Sequence, residues 1–114
     1  MTNPTTIDDV NNLDLSYMGD KWSQDMIQDG MRAIIRLNDK MKKKESNIDV
    51  WDYLSKYSPE EGKGFMFSAD PIVSQIINEM EVSHSGSSLG WTMRQLELIT
   101  KAGLSAHRSM YEED

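Results

Sequence analysis

The chain has 114 residues, 12 of them basic and 19 acidic, for a formal net charge of −7, and it contains no cysteine. That length fits one domain with a modest core. The missing thiols exclude disulfides, cysteine nucleophiles and thiolate metal sites, and the acidic balance disfavours general nucleic-acid binding, which depends on neutralising phosphates.

Residues 1–19 read as a partly ordered N-terminal arm. Its acids are Asp8, Asp9 and Asp14, it carries no base, and Ile7, Val10 and Leu13 have near-helical spacing that would let a short turn dock. The first 20 residues contain no apolar segment of the signal-peptide kind, and no apolar run approaches membrane-spanning length. A cytoplasmic protein without membrane contact is therefore expected.

Asp20 is a good N-cap, and the spacing beyond it predicts a helix to about Lys43. Trp22, Met26, Ala33, Leu37 and Met41 fall near one face, and Ile27, Met31, Ile34 and Ile35 widen the stripe. Gly30 interrupts it at a cost of about 1 kcal/mol relative to alanine. It marks either a close approach by another element or a break between two helices. Arg32, Arg36, Lys40 and Lys43 or Lys44 recur at helical spacing as a positive ridge. The ridge suits a solvated face, an acidic partner or contact with the acidic arm; it lacks the interleaved aromatic residues of single-strand binders.

Ser46-Asn47 offers the next cap, for a helix over about 48–57 with Asp49 and Asp52 in its first turns. Pro59 ends it, and residues 58–64 read as a turn. Phe65–Phe67 is too short to assign as a strand. Asp70 followed by Pro71 is the clearest start signal in the chain. Ile72, Val73, Ile76, Ile77 and Met80 then form an apolar face on a helix ending near 82–83. A further helix spans about 88–102 through Leu89, Met93, Leu96, Ile99 and Ala102, and Gly103-Leu104 fits its C-terminal cap. Residues 105–111 add a last turn or short helix. The expected fold is all-α: a compact bundle of four or five short helices, with an arm at 1–19, one helical domain at 20–111 and an acidic tail at 112–114.

The most informative chemistry lies between His84 and Arg94, where Ser85, Ser87 and Ser88 are interleaved with Gly86 and Gly90 ahead of a helix. Helix starts present free N–H groups and a positive dipole end. These serines, with His84 and Arg94, form a candidate site for a small phosphorylated, nucleotide-like ligand. The same residues serve equally as a helix cap, with Ser87 or Ser88 as the capping residue. The spacing is neither that of a P-loop nor that of a dinucleotide fingerprint.

His84 and His107 are far apart, and Glu81 beside His84 gives only two ligands, so no metal or other cofactor is expected. No nucleophile elbow or paired catalytic set is present, and no motif diagnostic of a family. A catalytic site shared between subunits, around Glu81, His84 and Arg94, ranks last. The expectation is a non-catalytic protein that binds a protein partner and forms a homo-oligomer. A small acidic chain of this kind suits a virus- or phage-type accessory protein that inhibits a larger target. Asp8, Asp9, Asp14, Glu60 and Glu61 are the candidates for steering a basic partner. The methionine and tryptophan stripe, including Met80, Trp51 and Met110, is mainly core, with any excess covered by an oligomer or partner.

Overall fold

Caps and apolar stripes place the helices. A computed structural model describes residues 3–58, 70–82 and 86–112. Glu60, Glu61, Phe65–Phe67, His84 and Ser85 lie outside them. The described residues form an all-α bundle of six helices with no strand: α1 (Ile7–Asn11), α2 (Lys21–Lys43), α3 (Val50–Lys56), α4 (Pro71–Glu79), α5 (Gly86–Ala102) and α6 (Leu104–Glu112). A 3-10 turn, Ser16–Met18, joins α1 to α2.

α2 is the axis, and α1, α3, α4, α5 and the 3-10 turn all pack on it. Its Met31, Ala33, Ile34 and Leu37 meet Met93, Leu96 and Ile99 of α5 and Val73 and Ile76 of α4 in one continuous core. The helix runs unbroken through Gly30, and the reason is close approach. A Cβ built there would lie 2.7 Å from Leu96 Cδ1 and 3.4 Å from Thr92 Cγ2 of α5. The glycine that weakens α2 locally lets α5 pack against its backbone.

Residues 3–18 are tied into this core. Val10, Leu15 and Met18 are buried. The Trp51 indole N–H donates to the Pro4 carbonyl at 2.8 Å, and the Gln28 amide donates to the Val10 carbonyl at 3.2 Å. α1 is closed by a capping box in which Thr6 accepts from the Asp9 N–H and the Asp9 carboxylate accepts from the Thr6 N–H. Few apolar residues and no long stripe announced this packing.

Two of the boundaries that differ from the sequence expectation are set by side chains elsewhere. α3 starts at Val50, not 48. Asp49 accepts from the Trp51 N–H, and Asn38 of α2 accepts from the Val50 N–H at 2.7 Å, so Ser46-Asn47 is not the cap. α4 stops at Glu79, not at 82–83. Arg36 donates to the Glu79 carbonyl at 2.9 Å, and the buried Asp29 carboxylate accepts from the N–H groups of Glu81 and Val82 at 3.0 and 3.2 Å. These contacts from α2 draw the chain away from a helical path.

Candidate functional site

α2 and α5 begin near one another, and the first turns of both are hydroxyl-rich. Asp20 caps α2, accepting from both the N–H and the hydroxyl of Ser23 at 2.9 Å. Its carboxyl is held below the ordinary range, first by the Ser23 N–H and then by the Ser23 hydroxyl. α5 starts at Gly86, so Ser87 and Ser88 sit inside its first turn and neither is the N-cap. Between the two helix starts lies an open hollow of about 440 Å³ lined by Trp22, Ser23, Ser87, Ser88 and Trp91.

The two indoles set its character. Their ring centroids are 5.4 Å apart and the planes are tilted by 37°. Trp22, expected on the buried stripe, is 50% exposed. Its place in the first turn of α2 leaves it beyond the end of the core. Helical spacing in the sequence puts both tryptophans in the core or on its flank. The available signal was Trp22 two residues after a cap, where a stripe has no earlier turn to lean on.

Arg94 is not among the residues lining the hollow. It lies three residues beyond Trp91 on α5, roughly 4.5 Å along the axis at 1.5 Å per residue, and its guanidinium lies 3.6 Å from Glu97. The arm acids are similarly occupied. Asp9 closes the α1 cap, accepting from Thr5 and Thr6, and these bonds hold its carboxyl low. Asp14 accepts from the hydroxyl and the N–H of Ser16, which hold it low as well, the hydroxyl more strongly. Asp8 is exposed in the first turn of α1.

The positive ridge of α2 turns inward on the molecule. Arg32 donates twice to the Asn11 side chain, at 3.0 and 2.7 Å. Arg36 and Lys40 hold Glu79 and Glu81 at the end of α4. The methionines are mostly interior: Met18, Met26, Met31, Met41 and Met93 are buried, while Met110 is exposed.

A larger open groove, of about 740 Å³, follows α3. Its charges are already engaged: Asp49 caps the helix and Asp52 pairs with Lys56 at 3.1 Å. Its two tyrosine rings stack on one another with a centroid separation of 6.4 Å. Among the described residues, no group of three histidine or acidic side chains could hold a metal ion, and no helix is long and apolar enough to cross a membrane.

A polar chain not anticipated from the sequence centres on His107, which is 0% exposed. Its Nδ1 lies 2.6 Å from the Tyr17 hydroxyl and its Nε2 lies 2.7 Å from Gln95 Oε1. Gln95 Oε1 only accepts, so Nε2 carries the proton and Nδ1 accepts from Tyr17. Burial lowers the histidine's pKa from the ordinary value and pushes the Tyr17 hydroxyl up to about 12.

No protein-family model, no curated protein and no solved structure matches this chain.

Proposed function

We propose that this protein works by binding another protein, not by catalysis, and that the Trp22–Trp91 hollow is the centre of the contact. The exposure of Trp22 carries this reading. Half of a tryptophan surface is about 100 Å², and covering it with apolar partner surface is worth roughly 2–3 kcal/mol. Tryptophan is among the residues that dominate interface energetics, most of all inside a hollow that a partner can seal from water. Ser23, Ser87 and Ser88 place hydroxyls beside the rings, giving the rim the polar character such interfaces have.

The net charge of −7 supports a basic partner through long-range steering. Asp8 is the arm acid whose replacement changes charge without removing a cap. Size and acidity suit an accessory protein that blocks a larger target, the reading reached from the sequence. A small phosphorylated ligand at the helix start has less support. The hollow's described lining is aromatic and hydroxylic without a basic side chain, and the Arg94 guanidinium lies beside Glu97.

The test compares wild type with Trp22→Ala and with Lys43→Ala, a change on an exposed surface of α2. A protein captured by wild type and by Lys43→Ala is then purified and titrated directly. The expected result is affinity lower by about thirtyfold, roughly 2 kcal/mol, for Trp22→Ala alone. Equal affinity for all three proteins contradicts the reading.

A further inference from the structure

Among the nine residues of α6, Leu104 and His107 are the buried ones. The others are exposed, including Met110 at 54%. The helix packs on α5 and on the 3-10 turn. Its buried anchors are therefore one apolar side chain and one imidazole. That imidazole bridges both neighbours, through Tyr17 on the 3-10 turn and Gln95 on α5. Tyr111 completes the cluster, with its ring centroid 5.2 Å from His107 and 5.7 Å from Tyr17.

We propose that α6 is a latch, closed while His107 is neutral and released from the 3-10 turn and α5 when His107 takes up a proton. The neutral ring satisfies both its nitrogens: one accepts from Tyr17 and the other donates to Gln95. A proton on Nδ1 forces the Tyr17 hydroxyl to reverse and places a full charge where water is excluded.

The groups facing the ring from each packed element do little to offset that charge. The 3-10 turn presents Tyr17, and the segment just before it presents Asp14, whose carboxylate is taken by Ser16. α5 presents Gln95, which is uncharged. α6 itself presents Tyr111 and Arg108, and the guanidinium adds positive charge, 5.8 Å from the Tyr17 ring centroid and bonded to Glu112 at 2.7 Å. Asp20, near Tyr111, is bound to Ser23. Burial thus works against the proton, and the latch stays closed at neutral pH and opens on the acid side of the ordinary histidine value.

Release uncovers a second surface. A hollow of about 180 Å³ already lies beside the contact, lined by Leu13, Leu15, Tyr17 and Leu104 together with Asp14, Ser105 and Arg108. Lifting α6 turns this hollow into an open apolar face, at the opposite end of α5 from the tryptophans.

The test is hydrogen exchange at about pH 7.5 and about pH 5, corrected for intrinsic chemistry. It is run alongside an imidazole titration by NMR in a His84→Gln background, which leaves His107 as the one histidine. The expected result is an acid-side loss of protection of about tenfold or more across residues 104–111, with the α2 amides near Ile34 unchanged. His107 should titrate below the ordinary value, and His107→Gln should abolish the pH dependence. Equal protection of α6 at both pH values overturns the proposal, as does simultaneous loss across α2 and α6. If His107→Gln leaves α6 unprotected at both pH values, Tyr17→Phe decides. A shifted release midpoint supports the latch, and an unchanged one overturns it.

Discussion

A Cβ placed on Gly30 would lie 2.7 Å from Leu96 Cδ1, and Leu96 is fully buried. Alanine there gains about 1 kcal/mol of helix propensity and suffers overpacking of about 1–3 kcal/mol. Gly30→Ala should therefore cost about 1 kcal/mol net, and Gly30→Val, with a branched Cβ, more than about 2 kcal/mol. Urea unfolding checks both. Asp29 was legible only as a charge on α2, because its partners are backbone amides 52 and 53 residues away. It is 2% exposed, and its carboxylate accepts from Glu81 and Val82. Asp29→Ala leaves those N–H groups without their acceptor and should cost about 1–3 kcal/mol. Trp22→Ala removes a half-exposed ring, so its stability should change by less than about 1 kcal/mol while the proposed binding falls.

At the scale of the element, the sequence was most legible where local chemistry decides. Asp20 begins α2, the Asp70-Pro71 pair begins α4, and Gly103, at φ +93°, ends α5 with its N–H donating to the Ile99 carbonyl at 2.8 Å. Gly103→Ala places a Cβ in the left-handed region and should cost about 1 kcal/mol, readable as a lower thermal midpoint. Legibility failed where a distant side chain decides. Arg36 and Asp29 end α4 early, and Asn38 shifts the start of α3. α1 was legible only as a short docked turn, since its five residues bury Val10 and draw their stability from α2. The candidate site was legible in part. The serines at the start of α5 were visible as a cluster, but their neighbour Trp22 comes from the start of α2, a pairing that only the packing of the two helices creates.

At the scale of the whole molecule, stability should decline with acid in two stages. His107 has a folded-state pKa below the ordinary 6.5, so its contribution is complete above about pH 6.5 and drains as pH falls toward the folded value. Asp9, Asp14 and Asp20 are held below 3.8 by hydrogen bonds, so their contribution is intact above that value and lost as pH falls further. Urea midpoints measured across this range should show both stages, and His107→Gln should remove the upper one. The charge of −7 predicts a separate effect on association, with a basic partner joining more slowly as salt rises. The central claim is that the Trp22–Trp91 hollow is where another protein binds. Its most direct test is a photo-crosslinking amino acid placed at Ser87, on the rim of the hollow, and at Lys43 as a distant control, each irradiated in the native cell. The expected result is one discrete protein adduct from position 87 that is absent from position 43 and disappears when Trp22→Ala is added. No adduct from position 87, or the same adduct from both positions, would contradict it.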